Sequence, residues 1–155
     1  MPDQQMTTPP TLLIIGYGNT LRSDDGVGPR AAEAMAALNL PGLQVLSCPL
    51  LTPELAEPIS RARIAVFVDA AVDAPREVQL RKLQPAASSQ IMAHAADPPT
   101  MLALARDVFG HAPEAWLLAI PVRNLAIGDE LSDFARRNLQ TAIDCLEQFA
   151  TGLRT

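Results

Sequence analysis

Four residues of this chain have side chains that suit a cation and stand where loops would expose them. Asp24 and Asp25 are neighbours in the stretch Gly16-Tyr17-Gly18-Asn19-Thr20-Leu21-Arg22-Ser23-Asp24-Asp25-Gly26-Val27-Gly28, Asp69 closes the apolar run Ile64-Ala65-Val66-Phe67-Val68, and His94 lies in a segment without periodicity. Asp24 or Asp25, together with Asp69 and His94, would make an open site for a borderline divalent metal, with further positions left to water or substrate. Each has a plainer use as well. Asp24 and Asp25 could cap the helix that follows and favour its positive end. Asp69 could cap a loop, and His94 could be a surface group. His111 follows Gly110 at a predicted helix end, where it reads as a favourable C-terminal charge.

Other chemistries lack their residues. A zincin needs His-Glu-x-x-His and a serine hydrolase of the α/β class needs Gly-x-Ser-x-Gly, and neither occurs. Cys48 could meet His94 as a thiol-imidazole pair, but a cysteine at a strand end reads as packing. Gly16-x-Gly18 after a strand suggests a dinucleotide fingerprint. The third glycine of that pattern would fall at Leu21, however, and the second strand ends in Ser47-Cys48 where a ribose-binding acid should stand. Two aspartates in the loop would also repel a phosphate.

The elements that must position these residues alternate between strand and helix. Residues 11–15, 43–46, 64–69 and 116–120 are short apolar runs of the kind found in strands buried on both faces. Residues 78–83 alternate apolar and polar, and the connection before them is too short for a crossover helix. They are therefore expected to form a strand antiparallel to the third and near an edge. Helices are expected from Pro29 to Leu38, from Pro53 to about Ser60, from Pro98 to a stop at Gly110, and from Leu131 to about Ala150. The predicted fold class is α/β: a three-layer sandwich with a mostly parallel five-stranded sheet, one antiparallel edge strand and helices on both faces. On this reading the glycine-aspartate stretch is a loop at the carboxyl end of the first strand, where α/β proteins place chemistry.

A chain of 155 residues, 48% hydrophobic, is long enough for one domain with a substantial core. Residues 1–10 read as a loosely ordered terminus and 11–155 as a single domain. Net charge is −5 and the bases are scattered, which makes nucleic acid and anionic membrane poor partners. The expectation is a soluble, cytoplasmic protein, without signal peptide or membrane span, whose Cys48 and Cys145 stay reduced.

The stretch from Gly16 to Gly28 resembles the glycine-asparagine and acidic-glycine signature of the hydrogenase maturation endopeptidases. The likeness extends through Val68-Asp69-Ala70, Ile120-Pro121 and Gly128-Asp129-Glu130-Leu131-Ser132, and so covers nearly the whole chain from Thr11. These proteins remove a short C-terminal extension from the large-subunit precursor of nickel-iron hydrogenases after the metal centre is assembled. The resemblance implies that Asp25, Asp69 and His94 bind metal and carry the cleavage, and that Gly18, Asn19, Asp24 and Gly26 shape the substrate-binding loop. It implies that the nickel is carried by the substrate and that no permanently bound cofactor is needed, although zinc or cadmium could occupy the site. The expected partner is the hydrogenase large-subunit precursor, met by a monomer. Two other functions fit the same residues: a nickel-binding assembly factor without cleavage activity, and a small-molecule metallohydrolase.

Overall fold

A computed structural model describes residues 9–72, 76–87 and 97–153. Its sheet has five strands, β1 (Leu12–Tyr17), β2 (Leu43–Cys48), β3 (Ile64–Ala71), β4 (Gln79–Leu83) and β5 (Glu114–Pro121), in the order β2-β1-β3-β5-β4. The first three and β5 run parallel, and β4 is antiparallel to β5 at the far edge. Burial explains the sequence pattern. β1 and β3 lie inside the sheet with both faces covered, so they read as continuous apolar runs, whereas β4 is an edge strand and alternates.

Among the described residues four α-helices cover the sheet: α1 (Val27–Ala36), α2 (Ala56–Arg61), α3 (Pro98–Phe109) and α4 (Asp133–Gly152). Val27, Ala31 and Met35 of α1 pack with Ala135, Ala142 and Leu146 of α4 on one face. Ala56 and Ile59 of α2 pack with Met101, Leu102 and Ala105 of α3 on the other. The result is the expected three-layer α/β sandwich. Local chemistry sets the helix ends. The Asp97 carboxylate accepts from Thr100 N at 2.8 Å to start α3, and Gly110 closes it in the left-handed region at φ 84°. Ser132 Oγ accepts from Ala135 N at 3.1 Å to start α4.

Residues 79–83 form the expected antiparallel edge strand, but their hydrogen-bonded neighbour is β5 and not β3. β3 already has β1 and β5 on its two sides. The chain skips one strand position after β3, a step of about 10 Å that a connection of this length spans with ease, and β5 later fills the gap. β3 also continues two residues beyond Asp69.

Strand order fixes where a site can form. From β1 the chain moves to β2 on one side, and from β3 it moves toward β4 and β5 on the other. The loops leaving β1 and β3 therefore diverge, and a crevice opens between them at the carboxyl edge of the sheet.

Candidate functional site

The crevice is built on a row of side chains at the strand ends. Tyr17 pairs in register with Cys48, and Gly16 with Val68, so the next pair along β1 and β3 is Tyr17 beside Asp69. Alternation places both on the face covered by α2 and α3, where Leu13, Ile15 and Phe67 form the core beneath them. The Tyr17 hydroxyl lies within hydrogen-bonding reach of the Asp69 carboxylate. Burial and the neighbouring negative charge of Asp69 push the phenol well above its ordinary value. Burial also raises Asp69, and the charge of Asp25 adds to the rise. Tyr17 and the Ala70 N–H oppose it, and the carboxyl ends at about 6. Two acids are thus close enough to feel one another in a partly dry setting, and neither belongs to the ion pairs found among the described residues.

Asp25 arrives from the opposite side, on a single turn of 3-10 helix that leads into α1. Its Oδ2 accepts from Asn19 N at 2.7 Å, while Asn19 Oδ1 accepts from Leu21 N at 2.9 Å. The loop is thereby folded back on itself. Gly18 N donates to Cys48 O at 3.1 Å, tying the loop to β2, and Gly18 has φ +149° with the Asp25 carbonyl where a Cβ would be. A Cβ on Gly28 would lie 2.5 Å from the Tyr17 carbonyl oxygen and 2.6 Å from that of Val68. The missing side chain lets the start of α1 rest directly on β1 and β3, close to the strand end where the charge of Asp25 acts on Asp69.

Asp24 is turned inward and does different work. It is 0% exposed, and its carboxylate accepts from Arg123 N at 3.0 Å, Asn124 N at 2.9 Å, Ser132 N at 2.7 Å and Ser132 Oγ at 2.7 Å. Burial acts against its charge, but the hydrogen bonds from Asn124, Ser132 and Arg123 outweigh it and hold the carboxyl below its ordinary value. Around it the 19–25 loop is clasped to the segment after β5. Ser23 N donates to Gly128 O at 2.8 Å, Gly128 N to Leu21 O at 2.8 Å, and Ser23 Oγ to Ala126 O at 2.7 Å.

Of the residues picked out by sequence, Asp25 and Asp69 lie near enough for the charge of one to act on the other. Gly18 and Asn19 shape the loop between them, and Gly26 packs against Thr20. Asp24 anchors the loop from behind, with its oxygens engaged by the protein itself. His94 lies outside the described residues. The chain re-enters description at Asp97, whose charge acts on Tyr17. His111 stands at the amino edge of the sheet, just before β5, away from the crevice. Among the described residues no three His, Cys, Asp or Glu side chains are grouped to hold a metal ion. Tyr17 is the member of the site that reasoning from sequence missed. The signal was available: alternation along β1 from Leu13 and Ile15 puts Tyr17 at the loop end of the row that reaches Asp69.

No family model matches the sequence, and no curated protein matches it significantly. Solved structures do. Hydrogenase maturation protease HycI of Thermococcus kodakarensis KOD1 superposes with a TM-score of 0.71 at 17% identity, over 94% of this chain and 95% of that one. Hydrogenase maturating endopeptidase HybD of E. coli gives 0.67 at 20% identity, over 92% and 91%. HybD of Thermococcus kodakarensis gives 0.65 at 23%, over 90% and 98%. The chain has the fold of the hydrogenase maturation proteases over nearly its full length.

Proposed function

We propose that this chain is an endopeptidase that removes the C-terminal extension of a nickel-iron hydrogenase large-subunit precursor and recognises the nickel already inserted there. One observation carries the reading: on the fold of such proteases, at the strand switch point, half-buried Asp69 lies within reach of the charge of Asp25, and neither has an ion-pair partner among the described residues. Two carboxylates in that state repel each other and lose hydration, so a divalent cation delivered from outside would relieve both penalties. In this reading His94 adds an imidazole and the three residues grip the substrate's nickel. Zinc or cadmium could take its place, and no resident cofactor is required. Gly18, Asn19 and Gly26 hold the loop that carries Asp25, and Asp24 fixes that loop to the body of the fold.

Gripping the metal places the scissile peptide beside the acids. Water adds to the carbonyl carbon, the C–N bond breaks, and a proton passes to the leaving amine. Before the metal arrives, burial and the charge of Asp25 hold the Asp69 carboxyl up at about 6, so the incoming cation competes with a proton for this ligand as the pH falls below that. The protein would act as a cytoplasmic monomer, with neither nucleic acid nor membrane as partner. No helix among the described residues is long and apolar enough to cross a membrane.

Mass spectrometry of a nickel-loaded large-subunit precursor incubated with the protein tests the proposal. Loss of a C-terminal peptide from the loaded precursor, and not from the metal-free one, is the expected result. Unchanged mass with stable association would instead make the chain a nickel-binding assembly factor. Stoichiometric metal retained by the purified protein, with hydrolysis of small substrates, would make it a metallohydrolase.

A further inference from the structure

Eight large apolar side chains are exposed among the described residues, and they fall into two groups. Leu38, Val108, Phe109 and Leu153 lie at the carboxyl ends of helices, on the side of the sheet away from the crevice. The other four lie at the carboxyl edge of the sheet. Leu21 follows β1 and is 66% exposed, Leu50 follows β2 at 56%, Val72 follows β3 at 46%, and Ile127 follows β5 at 94%. Each parallel strand thus leads into a loop that holds one large apolar side chain in water, and the four stand along the same carboxyl edge on which the crevice of Asp25 and Asp69 opens.

We infer that Leu21, Leu50, Val72 and Ile127 form an apolar ring that docks the folded body of the metal-carrying precursor protein around the acidic site. The inference rests on the protease reading and adds the surface by which that substrate is held. Three observations support a protein as the occupant. The ring spans four adjacent strands, roughly 15 Å at the usual strand spacing, which is the scale of a protein contact and wider than a small ligand. Its two most exposed members are held stiffly: Leu21 and Ile127 immediately precede Arg22 and Gly128, which form a parallel bridge, and the clasp around Asp24 fixes both segments. Apolar anchors presented on a rigid frame lose little conformational freedom on binding. The charges beside the ring are mixed, with Arg22 and Arg123 offset by Asp129 and Glu130, and the chain is acidic overall, which disfavours an anionic lipid surface. A groove of about 370 Å³, lined by Leu21, Pro29, Pro49, Cys48 and Glu33 among others, runs from the ring toward β2 and would extend the contact.

The test compares two double variants of the full chain, Leu21→Ser with Ile127→Ser at the ring and Val108→Ser with Phe109→Ser at the opposite edge. Dissociation constants for a nickel-loaded large-subunit precursor are measured, and thermal melting checks the fold. The ring variant is expected to bind at least tenfold more weakly with an unchanged melting temperature, and the opposite-edge variant to bind as the wild type does. Wild-type affinity in the ring variant overturns the inference, as does an equal loss in both variants. Concentration-dependent self-association of the wild type that the ring variant loses would assign the ring to a second copy, and overturns it too. If the wild type neither binds nor cuts any precursor, the protease reading itself fails and the partner named here fails with it. A wild type that cuts beside a ring variant that cuts equally well removes the docking inference alone.

Discussion

The two sides of the 19–25 loop are opposites in how they treat a carboxylate. Behind the loop, Asp24 is fully buried, takes four hydrogen bonds from Arg123, Asn124 and Ser132, and is held in its charged form. In front of it, Asp25 and Asp69 share a half-open crevice, and Asp69 is pushed the other way, to about 6. Adjacent residues of the same type thus end in different states: Asp24 saturated with donors, and Asp25 with a single Asn19 N–H, on the side of Asp69. A carboxylate surrounded by donors stabilises the fold and has nothing left for a ligand. A carboxylate facing another one costs stability and is ready for a cation. The first makes the second possible, because the clasp behind the loop fixes the segment that carries Asp25.

Substituting each neighbour separately should split the two roles. Asp25→Ala is expected to lower cleavage of loaded precursor by about 1000-fold or more while the melting temperature stays within about 2 °C, since the Asn19 N–H it releases is exposed to water. Asp24→Ala strands three backbone donors and the Ser132 hydroxyl, and should cost about 3–5 kcal/mol of folding free energy, or about 10 °C in melting temperature. Calorimetry of both variants decides the matter. A stable Asp24→Ala protein, or an Asp25→Ala protein that melts early, would reverse the assignment.

That division could not be read from the sequence, and the reason is distance. Asp24 and Asp25 are equivalent as letters, and what separates them is a segment about a hundred residues away, Arg123 to Ser132, which only the folded chain brings to one of them. The architecture was far more legible, because strands buried on both faces must be apolar throughout, and 12–17 and 64–71 are nearly so. The neighbour of β4 was not. An alternating run declares an exposed edge but says nothing about which strand it joins, and here β5 enters later between β3 and β4. Tyr17 was legible in principle from alternation along β1, but became meaningful only once β3 was known to lie beside it with Asp69 in register.

The half-open side of the comparison makes a prediction about pH. Because the folded state raises Asp69 from 3.8 to about 6, it binds a proton over a range where the unfolded chain has released it. Stability contributed by this group therefore falls as pH rises from about 4 to 6, and stays low above that. Asp69→Asn removes the buried charge and should stabilise the protein by on the order of 1–2 kcal/mol at pH 8, with the gain vanishing near pH 4. Urea melts of the two proteins at both pH values measure the difference. A destabilised Asn variant at pH 8 would mean that the crevice already satisfies the carboxylate, as the clasp satisfies Asp24.

The smallest expected effect comes from the one group that softens the contrast. The Tyr17 hydroxyl opposes the rise of Asp69, so it stabilises the charged form that a cation needs. Tyr17→Phe keeps the ring that packs over the core and removes only this donor. Asp69 then holds its proton to a higher pH, and the acid limb of kcat/KM for cleavage should move upward. The variant should lose roughly threefold relative to wild type at pH 6, the size of one modest hydrogen bond, and nearly nothing at pH 8, where Asp69 is ionised with or without the phenol. A uniform loss at both pH values would instead give Tyr17 a packing role or a contact with substrate, since neither depends on the protonation of Asp69.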